Sequence, residues 1–173
     1  MTAAIKVSKL RKIYEGGLEA LKGIDLSIPQ GSFYGLLGPN GAGKTTTIGI
    51  ITGLVNLTSG SASIMGYDAT QEYRKARRLI GLSPQELNFD VFFSIGELLT
   101  LQAGYYGLSH SEAKERTDIM LQQFGLIEKK KSRARELSGG MKRRVQIAKA
   151  LVHDPPIVIL DEPTAGVDIE LRH

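Results

Sequence analysis

The stretch Gly38-Pro39-Asn40-Gly41-Ala42-Gly43-Lys44-Thr45 decides the fold of this chain. It matches Gly-x4-Gly-Lys-Thr, the phosphate-loop or Walker A pattern. Glycines let the backbone curl so that successive N–H groups face one anion. The Lys44 ammonium suits the β- and γ-phosphates of a nucleotide, and the Thr45 hydroxyl suits the magnesium ion that bridges them. The pattern therefore predicts that residues 38–45 bind ATP together with Mg²⁺.

The sequence on either side of this loop agrees with that interpretation. Ser32 to Leu37 is mostly apolar and predicts a strand that runs directly into the loop. Thr45 to Leu54 predicts a helix that leaves it, and the N-terminal dipole of such a helix favours bound phosphate.

A second candidate site lies near the C-terminal end of the sequence. Ile157 to Leu160 is a continuous apolar run, which is typical of a parallel strand covered on both faces. Asp161 and Glu162 follow at once, at the strand edge where ligands bind in open α/β sheets. We expect Asp161 to hold magnesium, through water, and Glu162 to act as general base on an attacking water.

The rest of the chain alternates short strands and helices. Ile5–Val7, Ile24–Ile28 and Ser61–Met65 are predicted strands, and Asp25 and Ser27 give the second of them one wet face. Helices are predicted over Ser94–Tyr105, from a capping box at Ser109 and Glu112 towards Phe124, and over Gly140–Val152. Helices alternating with apolar strands indicate an α/β sheet.

Composition narrows the class of protein. The 173 residues contain no cysteine, which excludes disulfides and cysteine metal sites, and the three histidines lie far apart. The N-terminus lacks a secretory signal and no apolar stretch is long enough to span a bilayer, so the cytoplasm is the default location. A net charge of +4 permits contact with nucleic acid or anionic lipid but does not require it.

Together these motifs resemble the nucleotide-binding domains of ABC-type ATPases. Leu137-Ser138-Gly139-Gly140-Met141 is similar to the signature motif of that family and lies, as expected, between the phosphate loop and the acidic strand. Three stretches resemble the ATP-binding subunits of bacterial ABC-2-type multidrug exporters: Gln-Ala-Gly-Tyr-Tyr-Gly, Gly-Gly-Met-Lys-Arg-Arg and Asp-Glu-Pro-Thr-Ala-Gly-Val-Asp-Ile-Glu.

The resemblance implies a P-loop NTPase fold and a domain organisation. Residues 1–87 would form an N-terminal antiparallel β sub-domain plus the phosphate-loop core. Residues 88–137 would form a helical sub-domain. Residues 138–173 would carry the signature helix, the acidic (Walker B) strand and the loop of Asp168, with the core sheet incomplete at the C-terminus.

The resemblance also implies roles for single residues. Tyr14 would stack on adenine, Gln85 would contact magnesium and the attacking water, and Asp168 would lie at the dimer interface. Ser138 would meet the γ-phosphate of ATP bound to the other protomer. The implied catalytic residues are Glu162, Lys44 and Gln85, and the implied metal ligands are Thr45, Gln85 and Asp161. The implied nucleotide-binding residues are Tyr14, Gly38, Pro39, Asn40, Gly41, Ala42, Gly43, Lys44, Thr45, Thr46, Ser138, Gly139 and Gly140.

The implied function is ATP hydrolysis that drives export. Two copies would form a head-to-tail homodimer, coupled to a transmembrane permease at the cytoplasmic face of the inner membrane, with no nucleic-acid partner. Met141 departs from the family's common glutamine. The family's switch histidine lies beyond the acidic motif, and His173 comes too early to be that residue. We therefore expect a piece of a longer subunit that is itself weak or inactive as an ATPase.

Two alternatives remain at this point. A soluble ABC-type ATPase of translation or DNA repair would carry a second cassette or a long coiled coil, but no heptads lie between Lys44 and Ser138. The other alternative is a nucleotide-binding piece that never turns over.

Overall fold

The computed structural model describes residues 2–162 of the chain. The chain divides into two compact units, with the boundary between Ile80 and Gly81. No helix within residues 2–162 combines the length and the apolar character that crossing a membrane would need.

The first unit is built on an antiparallel sheet with strand order β2-β1-β3-β4. Its central strand, β1, pairs Val7 with Leu26 on one side and with Ala62 on the other. The predicted wet face of β2 is confirmed, because Asp25 and Ser27 are exposed while their apolar neighbours are half-buried. The four strands are β1 (Ala3–Ile13), β2 (Glu19–Pro29), β3 (Ser59–Ile64) and β4 (Tyr67–Asp68).

The expected strand from Ser32 to Leu37 is wrong. These residues form neither helix nor strand, and Phe33 and Leu37 are 103% and 92% exposed. An apolar segment becomes a strand only when a neighbouring strand satisfies its backbone groups and other elements cover its side chains. The four strands of the first unit pair with one another and leave this segment out.

Two helices complete the first unit. Helix α1 (Lys44–Ile51) contacts β2 and β3 and buries Thr47, Ile50 and Ile51. It begins directly after the phosphate loop, as predicted, and is shorter than expected because Thr52 is its C-cap. Helix α2 (Tyr73–Arg78) is a short helix that contacts β4.

Up to Glu162, the second unit contains three packed helices, α3 (Ile95–Tyr105), α4 (His110–Gln123) and α5 (Gly139–Leu151). Short 3₁₀ turns lie at Ile127–Lys129 and Ala134–Glu136. Ser94 and Ser109 each begin a helix with a capping box. The capping box predicted at Ser109 and Glu112 is therefore confirmed. The core these helices share consists of Ile95, Leu99, Ala103, Ala113, Met120, Leu121, Leu126, Leu137, Val145, Ala148 and Val152.

Two short strands, β5 (Ile80–Ser83) and β6 (Ile157–Leu160), pair with each other. The expectation that β6 is covered on both faces is wrong for the described residues. Val158 and Leu160 are 43% and 42% exposed, and Ile157 and Ile159 are half-buried. An apolar run makes burial of a strand favourable, but the strand is buried only where other elements pack on both faces of its sheet.

Candidate functional site

The phosphate loop is a tight turn that depends on glycine at two positions. Gly41 and Gly43 have φ values of 81° and 85°, in the left-handed region that favours glycine. Gly43 also has no room for a side chain. A Cβ atom there would lie 2.5 Å from Cδ2 of Leu21 and 2.9 Å from the Ala20 carbonyl oxygen. Strand β2 thus packs directly behind the last glycine of the loop.

The Lys44 side chain folds back over this loop. Its Nζ donates hydrogen bonds to the carbonyl oxygens of Gly38, at 2.6 Å, and Pro39, at 2.9 Å. The bonds fix the ammonium group against the loop's own backbone. A positive charge is thereby held at the point where the sequence predicts phosphate.

The start of α1 is open in a way that the other long helices are not. Its N-cap is Gly43, which offers no side-chain acceptor, and its first turn contains no acidic residue. Helices α3, α4 and α5 instead begin at serines whose side chains accept a backbone N–H. The first N–H groups of α1 therefore have neither a capping side chain nor an intrahelical acceptor, and they suit a bound anion.

Tyr14, which the resemblance assigns to adenine, lies beside the first turn of α1. Its hydroxyl is 3.3 Å from Oγ1 of Thr46, in the first turn of α1. The Lys12 ammonium lies 4.8 Å from the centroid of the Tyr14 ring, on one of its faces. Tyr14 as a whole residue is 37% exposed.

In the second unit, Gln85 and Glu162 meet. Nε2 of Gln85 donates a 2.7 Å hydrogen bond to Oε2 of Glu162. The pairing of β5 and β6 brings the two segments together, since the Asp161 N–H donates to the Ser83 carbonyl at 3.0 Å. Glu162 has φ 47°, which is uncommon for a residue other than glycine. Such strained backbones cluster at functional sites.

Sequence reasoning missed two polar residues that surround this pair. Arg143 and Gln146, on α5, are only 8% and 5% exposed. They hydrogen bond to the backbone of the Gln85 segment, and Arg143 also bonds to the carbonyls of Asp161 and Glu162. No local signal marked them, because positions 143 and 146 lie off the helical face that carries Val145 and Ala148, where polar residues are expected to be solvated.

The signature motif forms the N-terminus of α5. Ser138 is the N-cap, and its Oγ accepts the Met141 N–H at 3.3 Å. Leu137 is buried and anchors the turn, whereas Ser138, Gly139 and Gly140 are exposed. The space around both glycines is open, because no atom lies within 4 Å of an added Cβ.

The predicted site residues thus fall into three groups. Tyr14 and residues 38–46 form one group in the first unit, and Gln85, Asp161 and Glu162 form another in the second. Ser138, Gly139 and Gly140 form the third, the exposed turn at the start of α5. Asp168 and His173 lie outside the described residues. Between residues 2 and 162, no three His, Cys, Asp or Glu side chains cluster closely enough to hold a metal by themselves.

Comparison with known families and proteins gives one consistent result. The sequence profile described as "ABC transporter" matches residues 21–165. The linearmycin resistance ATP-binding protein LnrL of Bacillus subtilis is 43% identical over 169 residues, which are 98% of this chain and 54% of LnrL. Nod factor export ATP-binding protein I of Cupriavidus metallidurans is 40% identical over 173 residues, all of this chain and 57% of that protein. The chain therefore spans about half the length of these relatives.

Solved structures of ABC transporter ATP-binding proteins are similar to this chain. An ATP-binding subunit of an ABC transporter superposes with a TM-score of 0.83 at 33% identity, over 92% of this chain and 66% of that one. The cbiO1 protein of Clostridium perfringens, described as part of the ABC transporter complex cbiONQ, gives a TM-score of 0.82 at 33% identity. That match covers 97% of this chain and 68% of cbiO1. The predicted fold class, that of an ABC-type ATPase domain with an N-terminal antiparallel sheet, is confirmed.

Proposed function

Since this chain belongs to the ABC transporter family, we propose that it binds ATP at residues 38–46 and hydrolyses it through Glu162 to drive transport. The observation that carries the proposal is the uncapped start of α1 behind a glycine loop that holds the Lys44 ammonium. No other long helix among the described residues combines an open N-terminus with a fixed cation.

Binding would use the first unit. The N–H groups of the loop and of the first turn of α1 donate to the phosphates, and Lys44 exchanges its carbonyl partners for the β- and γ-phosphate oxygens. Tyr14 stacks on adenine with the face that Lys12 leaves open. The phosphates gain fixed donors that need no reorganisation at the moment of reaction.

Hydrolysis would use the pair in the second unit. The Glu162 carboxylate takes a proton from the attacking water, and the Gln85 amide orients that water and the carboxylate. Phosphoryl transfer depends mostly on positioning and electrostatics, so two correctly held side chains contribute much of the rate.

The donor set fits magnesium. Thr45, Gln85 and Asp161 offer hydroxyl, amide and carboxylate oxygens, which this hard cation prefers. The bond from Gln85 to Glu162 uses the amide nitrogen and leaves Oε1 for a cation or water. Magnesium is usually held by few protein groups together with phosphates and water. When bound, the ion would neutralise charge on the β- and γ-phosphates.

We further propose a head-to-tail homodimer. The exposed Ser138-Gly139-Gly140 turn at the start of α5 presents N–H groups and a helix dipole to an anion outside its own chain. The γ-phosphate of ATP on a second copy is such an anion. Asp168 would lie at the same interface.

The transport role rests on the relatives. LnrL is named for resistance to linearmycin, the Cupriavidus protein for Nod factor export, and cbiO1 for membership of a transporter complex. We propose that this chain likewise works with a transmembrane permease, at the cytoplasmic face of the inner membrane, in an exporter.

The test of ATP binding compares Lys44→Ala with Lys114→Ala, an exposed lysine on α4. We expect Lys44→Ala to weaken binding of a fluorescent ATP analogue by at least roughly tenfold, because a charge-assisted contact to phosphate is lost. Lys114→Ala should bind as the unaltered chain does. Equal affinity in both variants would remove residues 38–45 from the nucleotide site.

The dimer is tested separately by light scattering of the Glu162→Gln chain with and without ATP. Mass should double with ATP, and Ser138→Arg in the same background should prevent this, because a long side chain fills the open turn. Ser111→Arg, on the first turn of α4, is the matched control. Doubling that survives Ser138→Arg would contradict the head-to-tail arrangement.

A further inference from the structure

We infer that Arg143 is a positioning residue for ATP hydrolysis: its buried guanidinium bridges the Gln85 segment and the Asp161–Glu162 turn and thereby sets the water-activating pair. The inference rests on the proposed hydrolytic role of Gln85 and Glu162. Its experiment is chosen so that the two can fail independently.

The Arg143 guanidinium contacts two chain segments at once. Nη1 donates to the carbonyl oxygens of Pro84, at 2.9 Å, and Gln85, at 3.3 Å. Nη2 donates to those of Glu162, at 2.9 Å, and Asp161, at 3.3 Å. One planar side chain therefore fixes the backbone under both members of the Gln85–Glu162 hydrogen bond.

Gln146 supports Arg143 from the next turn of α5. Its Oε1 accepts from Nη1 of Arg143 at 3.2 Å, and its Nε2 donates to the carbonyls of Pro84, at 2.8 Å, and Glu86, at 2.7 Å. Gln146 thus holds only the Gln85 segment, whereas Arg143 holds that segment and the acidic turn. Gln146→Ala therefore tests the contacts to the Gln85 segment alone.

Burial makes this arrangement specific for arginine. A buried charge is costly unless its donors are satisfied, and Arg143 is 8% exposed. The two terminal nitrogens of guanidinium carry four N–H donors in a rigid fork, and Nη1 shares its two among three acceptors. A lysine ammonium carries three donors on a flexible stem and cannot reach both segments in this way. Hydrogen bonds in such surroundings are also stronger than those in water.

The backbone at Glu162 gives the bridge a mechanical role. A non-glycine residue at φ 47° persists only when its surroundings hold it there. The 2.9 Å bond from Nη2 of Arg143 to the Glu162 carbonyl is such a constraint. Because that backbone geometry aims the carboxylate at Gln85, loss of the fork misplaces the proposed base.

The bridge also ties this pair to the signature turn. Arg143 lies on α5, whose N-cap is Ser138. Because Ser138 and Arg143 are five residues apart on one helix, any shift of the Ser138 turn would also displace the guanidinium.

The experiment compares Arg143→Lys, which keeps the charge and loses the fork, with Arg144→Lys. Arg144 is the exposed neighbour, and its Nη1 donates to the Phe124 carbonyl at 2.7 Å. In ATP turnover by the full chain, we expect Arg143→Lys to lower kcat roughly 10- to 100-fold, since misplacement of about 1 Å costs that much. KM and the affinity for a fluorescent ATP analogue should stay within about twofold, and Arg144→Lys should match the unaltered chain. A normal kcat in folded Arg143→Lys overturns the inference.

A second readout does not require turnover. Hydrogen–deuterium exchange followed by mass spectrometry reports the amides of residues 83–87 and 159–162. Arg143→Lys should speed exchange in both segments, Gln146→Ala only in 83–87, and Arg144→Lys in neither. Unchanged exchange at 159–162 in Arg143→Lys overturns the bridge, even if the unaltered chain proves inactive.

The two proposals separate cleanly. An unaltered chain that binds no ATP sinks the proposed function, while the exchange pattern still decides the bridge. Conversely, Lys44→Ala could lose ATP binding while Arg143→Lys keeps a normal kcat. That result would support the proposed function and exclude Arg143 as a positioning residue.

Discussion

Gln85 and Glu162 are 77 positions apart in the sequence and are joined by a 2.7 Å hydrogen bond from amide Nε2 to carboxylate Oε2. The bond depends on the pairing of β5 with β6, which places the two residues just beyond neighbouring strand ends. In the proposed mechanism, the Glu162 carboxylate would accept the proton of water and the Gln85 amide would orient that water.

Glu162→Gln should separate binding from turnover. The substituted amide keeps an oxygen that accepts from Gln85, so the geometry is retained and ATP affinity should change less than about twofold. Turnover should fall roughly 10²- to 10⁴-fold, because a general base contributes that much. Single-turnover assays of both forms measure this, with the exposed Glu128→Gln as control. Normal turnover in Glu162→Gln would exclude it as the base.

Tyr14→Ala should weaken ATP binding while Tyr14→Phe should not. Alanine removes the ring, and stacking of a base on an aromatic is worth about 1–3 kcal/mol, or roughly 5- to 150-fold in affinity. Phenylalanine removes only the 3.3 Å contact of the hydroxyl with Thr46. Titrations with ATP and with inorganic triphosphate check the cause. If Tyr14→Ala weakens both ligands equally, the ring does not contact the base.

Gly43→Ala should destabilise the chain more than Gly41→Ala does. Both residues have left-handed φ values, 85° and 81°, so the backbone penalty is shared. Only at Gly43 would the added Cβ collide with Leu21 and the Ala20 carbonyl, whereas the space at Gly41 is open. Overpacking of this kind costs about 1–3 kcal/mol. Urea unfolding without nucleotide measures the difference, and equal midpoints would contradict the close packing of β2 behind the loop.

The capping boxes should make stability sensitive to acid. A side-chain hydrogen bond from Ser109, with a second from its backbone N–H, holds the pKa of Glu112 below its ordinary value of 4.5. The backbone N–H and hydroxyl of Ser94 lower the pKa of Glu97 in the same way. Because the folded-state pKa is the lower one, this stabilisation is present above about pH 4.5 and is lost as pH falls through the folded pKa.

Ser109→Ala tests the direction of this dependence of stability on pH. The variant loses the hydroxyl donor, so its deficit in unfolding free energy should be largest near neutral pH and shrink between about pH 5 and pH 3. Urea midpoints across that range give the deficit. Glu115→Gln, an exposed change on the same helix, controls for loss of any carboxylate from α4. A deficit that is constant with pH would show that Glu112 does not depend on Ser109.

Local patterns fixed most of the elements of this chain. The capping box at Ser109, the end of α4 before Gly125 and the apolar face of α5 follow from interactions within a few residues, and all three are present. The Gly38–Thr45 motif likewise specified its loop and the start of α1, because backbone freedom at glycine and an uncapped helix end are local properties.

Only tertiary structure decided which apolar segments became buried strands and which polar residues met. Ser32–Leu37 has the composition of a strand, yet it stays unpaired because pairing depends on strands far away in the sequence. Arg143 looked like one more basic residue of a helix, and its role emerged only when α5 brought it under the carbonyls of Gln85 and Glu162. Local sequence thus specifies the phosphate loop, the helix caps and the motifs of the family. The contact of Gln85 with Glu162 and the bridge beneath it were decided by long-range packing, which no local pattern encodes.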